Sequence, residues 1–184
     1  MDASKNITKN QNTIKLKKLN KHKYLILNSK GKKFNITLTN VFLKFGIEEY
    51  NSNYILNIFI KKNDDNSNYN KLIKIINIIS KIERLSNDEL RAVRYNIHNK
   101  KYISPIIDNK FDKNCVILRT YVDYNCAINI ANIFMPLDKS TDISNYNSNI
   151  NITVQTMWNT DTNYGVTIYT NKIFLLEKVS KNKK

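Results

Sequence analysis

The sequence has two cysteines, three glycines, two prolines and two histidines in 184 residues, and acids are half as common as bases. Each shortage excludes something. Cys115 and Cys126 are too few for a disulfide framework and lack the close pairing of a zinc knuckle or redox motif, so both read as reduced, buried or incidental thiols. Three glycines exclude a glycine-rich phosphate loop or dinucleotide fingerprint, and Gly31-Lys32-Lys33 resembles only the tail of one. His22 and His98 have no partner at metal-ligand spacing, and no nucleophile with its base can be nominated. Asp64, Asp65, Asp108, Asp112, Asp138 and Asp142 lie in asparagine-rich, loop-like neighbourhoods, which suit solvated turns better than a two-metal nuclease site. The chain is therefore expected to be no enzyme and to carry neither metal nor cofactor. No apolar run approaches the roughly 20 residues of a membrane helix, and the lysine-rich start does not resemble a secretion signal. A soluble protein of the host cytoplasm, with no membrane partner, is expected.

What is present is positive charge and flat rings. Thirty Lys and Arg against fifteen Asp and Glu leave a formal charge of +15, beside eleven tyrosines, seven phenylalanines and one tryptophan. Such a charge attracts phosphate backbones at long range. It is also clustered: ten lysines fall between Met1 and Lys33 with Asp2 as the only acid, and Lys172, Lys178, Lys181, Lys183 and Lys184 crowd the end against Glu177. Asparagine is roughly one residue in six, and a genome rich in A and T would raise asparagine, lysine, isoleucine and tyrosine together. Clustering is what a binding patch adds to that background.

The order of elements predicts a mainly β domain with a helical insert. Residues 1–22 read as a basic flexible arm, 23–177 as one domain with an insert at about 69–97, and 178–184 as a basic tail. Two short β-prone runs, 24–28 and 34–38, read as a hairpin through Gly31 whose tip presents Lys30, Lys32 and Lys33. From Asn53 to Lys61, Tyr54, Leu56, Ile58 and Ile60 share one face of a strand. Leu72, Ile75, Ile76, Ile79 and Ile82 then change to helical spacing over about 69–85. Ser86 and Glu89 form a capping box that opens a second helix through about Asn96. Residues 102–107 hold Pro105 and read as an edge segment. Val116, Leu118, Thr120 and Val122 read as inward, leaving Arg119 and Tyr121 together outside. Residues 127–135 fit either an extension of this sheet or a short helix, and 138–149 a polar loop. Ile150, Ile152 and Val154 open a closing hairpin toward Trp158, with a return through Gly165 and Tyr169 and a bulge near Asn171 where Ile173 and Leu175 fall out of phase. Short strands closing on themselves suit a small barrel.

Sequence-tolerant grip on a single strand needs a positive groove with aromatic platforms, since every base offers a flat face. The candidate stacking residues are Tyr24, Phe34, Phe59, Tyr102, Tyr121, Tyr124, Trp158 and Tyr169, and the candidate phosphate contacts are Lys30, Lys32, Lys33, Lys61, Arg119 and Lys172.

Residues 42–45, the strand 54–61, the helical insert, Ser104-Pro105 leading into a strand over 102–107, a further strand ending in Arg119, and Trp158 with a short turn before Gly165 resemble the OB-fold single-stranded DNA-binding proteins of large DNA viruses, related phages and virus-like elements. The resemblance spans roughly residues 24–176. It implies a small closed or partly open five-stranded barrel that coats and protects single-stranded DNA during replication of an AT-rich viral or plasmid genome, with Trp158 and the Arg119 strand near the binding face. RNA is an alternative strand, and a replication polymerase or helicase an implied partner. Such proteins commonly end in an acidic tail, and this chain ends in lysines. A duplex-end or terminus-recognition protein, and a non-enzymatic structural or host-interaction protein charged through codon bias, are the alternative readings.

Overall fold

The computed structural model describes residues 14–62, 67–85, 100–130, 133–136 and 141–179. Eleven strands join one sheet: β1 (Lys15–Asn20), β2 (Lys23–Leu27), β3 (Phe34–Leu43), β4 (Ile47–Tyr50), β5 (Asn53–Lys61), β6 (Lys101–Ile103), β7 (Ile106–Asp108), β8 (Cys115–Ile130), β9 (Ile133–Pro136), β10 (Tyr146–Asn159) and β11 (Asn163–Lys178). One helix among the described residues, α1 (Ser67–Leu85), lies between β5 and β6. It is not long and apolar enough to cross a membrane.

The ladder returns on itself. β3 pairs with β5, β5 with β8, β8 with β11, β11 with β10, and β10 with β3 again. All of these are antiparallel except β8 with β11, which run parallel. Because period-2 alternation puts one face of each strand inside this circuit, the inner rows are apolar: Leu38 and Ile150 beside Ile173, and Leu56, Ile58 and Leu118, all essentially without exposed surface. The inward phases expected for residues 54–60 and 116–122 are the observed ones. Thr120 and Thr170 are buried polar residues, and their hydroxyls bond each other at 2.7 Å.

Irregularities are placed where side chains can satisfy freed backbone groups. The β3–β10 register shifts between Ser148 and Ile150, and Asn40 opposite takes φ 50°. Its amide donates to Asn149 Oδ1 at 2.9 Å, while Asn68 of α1 accepts from the Thr39 amide and donates to the Thr39 carbonyl. A kinked strand thus keeps its hydrogen bonds, and the same amide pins the start of the helix to the sheet. Leu72 and Ile75 complete that seam by burying the apolar face of α1. On β11, Thr170 pairs with Ile152 and Lys172 with Asn151, so Asn171 is the bulge.

Three expectations change and one open alternative is decided. Order begins before the end of the expected 1–22 arm: Ile14 is buried, and Lys15–Asn20 forms β1 against β2. Residues 24–28 and 34–38 are strands but do not pair with each other. β2 and β3 instead run in one direction along the same edge of β10, opposite 156–158 and 146–154, and residues 28–33 are an excursion between them. β10 is four residues longer than the expected loop over 138–149 allows, because Tyr146 to Asn149 already pair with β11 and Tyr146 to Ser148 with β3 as well. Residues 127–135 extend the sheet, β8 turning back on β9. The expected second helix from Ser86 lies outside the described residues, as do residues 1–13 and 180–184.

Candidate nucleic-acid interface

Antiparallel partners face the same way, so the outer face of β5 and β8 is read from their register: Ile55 with Tyr121, Asn57 with Arg119, Phe59 with Ile117. β11 extends that face, since Tyr169 is the partner of Tyr121 and their rings lie 6.0 Å apart. Arg119 and Tyr121 therefore share one outer surface, as their phase in the sequence predicts.

Three residues complete this face that sequence reasoning did not choose. β4 and β5 form a hairpin closed by Tyr50 and Asn53, with Asn51 at φ 48° and Ser52 at φ 60°. Two successive positive φ angles make the tight turn whose twist suits adjoining strands. An Asn-Ser pair between two β-prone runs was the available signal. The turn leaves Tyr50 48% exposed with its ring centre 5.7 Å from the Arg119 guanidinium carbon. At the other end of the hairpin, Phe45 is 53% exposed and tilts against Phe59 at 5.7 Å. The Lys44 ammonium stands 5.0 Å from the Phe45 centre and 6.0 Å from that of Phe59.

Arg119 is held rather than neutralised. Its Nε donates to Asn57 Oδ1 at 3.4 Å, and Asn57 Nδ2 donates to Glu48 at 3.1 Å. The amide separates the guanidinium from the carboxylate, and among the described residues no carboxylate pairs directly with Arg119. A fixed cation beside an exposed ring can take a phosphate while the ring takes a base.

The remaining candidates scatter. Lys30, Lys32 and Lys33 are exposed on the 28–33 excursion, shaped by Gly31 at φ 74° and by Asn28, whose Oδ1 accepts from the amides of Lys30 and Lys32. Lys61 is exposed at the end of β5, next to Lys62, which pairs with Asp108 at 3.1 Å. Phe34 is opposite Val154 on the core side and packs against the core, and Tyr24 is buried, so neither offers a free face. Tyr102 packs against the core with its ring 5.2 Å from Tyr164. Lys172 does not join Arg119, because β8 advances from Val122 to Ala127 while β11 advances from Thr170 to Lys172, and its ammonium stands 5.9 Å from the centre of Phe134. The side chain of Tyr124 lies outside the described residues. Trp158 is half-buried, paired with Gly165 on β11 and with Lys23 on β2.

Burial pushes both thiols up, Cys126 to about 12, and holds them as protonated, inert packing groups. Among the described residues no three His, Cys, Asp or Glu side chains gather to hold a metal ion.

No protein-family model and no curated protein matches the chain. Among solved structures, that of gp2.5, a single-stranded DNA-binding protein encoded by bacteriophage T7, matches with a TM-score of 0.53 over 83% of this chain and 91% of that one, at 12% identity. The two share a fold.

Proposed function

We propose that this chain binds single-stranded DNA with little regard to sequence, along the outer face of β4, β5, β8 and β11, on an OB-type barrel formed by the circuit β3–β5–β8–β11–β10. The observation that carries it is the convergence on one surface of Arg119 with Tyr50, Lys44 with Phe45 and Phe59, and Tyr121 with Tyr169. Rings supply sequence-tolerant stacking and cations the phosphate attraction. The shared fold with a phage protein of that activity supports the same reading. No catalytic step belongs to it. Its setting is the coating of replicating strands in a viral or virus-like genome, with a replication polymerase or helicase as the partner that such coating serves.

A titration with labelled single-strand, duplex and RNA oligomers at two salt concentrations tests it. The expected result is retention of oligo(dT) above the duplex, with log affinity falling against log salt by about 0.7 per phosphate contacted. Preference for duplex overturns the reading in favour of terminus recognition. Loss of all retention near physiological salt overturns it in favour of a structural or host-interaction protein.

A further inference from the structure

Among the described residues one run of consecutive large apolar side chains is exposed throughout: Ile133, Phe134 and Met135 of β9. β9 pairs with β8 and with no other described strand. The two faces of this strand differ. Met135 and Ile133 lie opposite Ile128 and Ile130, on the side of the core, whereas Phe134 lies opposite Asn129 and, one strand further, in the row of Phe174. On β11 the outer row runs Tyr169, Lys172, Phe174, since Thr170 and Ile173 are buried and the Asn171 bulge falls between them. Phe134 and Phe174 therefore share the outer face of the sheet with Tyr121 and Tyr169.

The rings of Phe134 and Phe174 meet edge to face at 5.7 Å, and the Lys172 ammonium stands 5.9 Å from the centre of Phe134. Ala127 lies between Lys172 and Pro136 in the register, and its single methyl group leaves a low floor beside the rings. Phe134 keeps 55% of its surface, Lys172 is exposed, and among the described residues no carboxylate pairs with that ammonium. A free cation beside an exposed ring is the unit already present twice on the first face, as Arg119 with Tyr50 and Lys44 with Phe45. Such a unit takes a base on the ring and its phosphate on the cation. An apolar partner would instead bury Ile133 and Met135 as well, on the opposite side of β9.

We infer that Phe134, Phe174 and Lys172 form a second stacking station for the same single strand, which runs from the Tyr121–Tyr169 pair along β11 to β9. The inference rests on the single-strand reading above and adds to it the direction in which the strand leaves the first face. From Tyr169 to Phe174 is at most about 16 Å of β11, which about five nucleotides or fewer can span at about 3.4 Å or more each.

The test uses the full chain and labelled oligo(dT) of about five and about fifteen nucleotides, a short strand for the first face alone and a long one that reaches both. Anisotropy of the label reads binding. Tyr50→Ala should weaken both lengths, whereas Phe134→Ala weakens the long strand about tenfold and the short strand less than about twofold. Phe134→Tyr, which keeps a ring, should bind both as the native chain does. Lys172→Gln should lower the slope of log affinity against log salt by about 0.7 on the long strand and leave it unchanged on the short one. Met135→Ser, on the other side of β9, should change neither length. All of these side chains are exposed, so the variants fold. Unaltered binding of the long strand by Phe134→Ala while Tyr50→Ala weakens it, equal losses on both lengths, or a loss in Met135→Ser as large as in Phe134→Ala overturns the second station and leaves the surface reading standing. Failure of the native chain to hold either strand overturns both.

Discussion

The indole of Trp158 rests on the backbone of Gly165, with no room between them for a methyl group: a Cβ there would meet Trp158 Cζ2 at 2.7 Å and the Ile103 carbonyl at 2.8 Å. The second obstacle is backbone, held by the pairing of β6 with β11, so the ring has to give way.

Gly165→Ala should therefore move the indole outward. The emission maximum of the folded protein should shift to the red, and the urea midpoint should fall by an amount equivalent to about 1–3 kcal/mol. An unshifted spectrum with unchanged stability would show that the contact is looser than described.

Tyr50, at the β4–β5 turn, and Phe45, in the turn from β3 to β4, have about half their surface free. Tyr50→Ala and Phe45→Ala should leave thermal stability within about 0.5 kcal/mol, while each weakens oligo(dT) binding by about 1–3 kcal/mol. Fluorescence anisotropy beside a thermal melt separates the two effects. Arg119→Gln should instead reduce the slope of log affinity against log salt by about 0.7, since it removes one cation rather than one ring.

Inside the sheet, Thr120 Oγ1 reaches both Thr170 Oγ1 and, at 3.3 Å, the Leu56 carbonyl. Thr120→Val strands the Thr170 hydroxyl and should cost about 1–3 kcal/mol, whereas Thr170→Val leaves Thr120 its carbonyl acceptor and should cost less. The double variant should lose less than the sum of the singles. Denaturant melts of all four proteins complete the cycle.

Cys126 has its folded pKa raised from 9.0 to about 12, chiefly by burial and secondarily by Asp123. Its protonated form is the one the fold prefers. The stability it contributes is full below about pH 9 and is lost as pH rises from there toward 12. The urea midpoint of the native protein should thus decline more between about pH 8 and about pH 10.5 than that of Cys126→Ala. Equal declines would show that the thiol is reached by solvent.

Where burial follows period, the sequence was readable. Leu56, Ile58 and Ile60, Val116 and Leu118, and Ile150, Ile152 and Val154 are apolar at every second position and lie inside the circuit. The Asn171 bulge announced itself because Ile173 and Leu175 change phase relative to Val166 and Ile168, which only an extra residue can reconcile. β1 and β9 gave no such sign. Lys15–Asn20 and Ile133–Pro136 are held by backbone pairing at sheet edges with little side-chain burial, so nothing in their residues alternates. The same limit hid half of the candidate face. Arg119 and Tyr121 were found by phase along one strand, but Tyr50 reaches that surface through a hairpin whose Asn51-Ser52 turn lacks the usual glycine, and Lys44 and Phe45 through the irregular turn from β3 to β4. Asparagine, easily dismissed as a mark of base composition, turns out at positions 28, 40, 51, 68 and 149 to shape turns and to satisfy kinked backbone.

β2 and β3 lie end to end along one edge of β10, and the six residues between them belong to neither ladder. Adding or deleting residues there shifts no strand past another, so the lysine-bearing segment is free to vary in length and charge while the rest of the molecule stays as it is. That makes it the natural place to splice in a peptide tag or a dye-labelling sequence, and the part of this surface on which selection could act most cheaply.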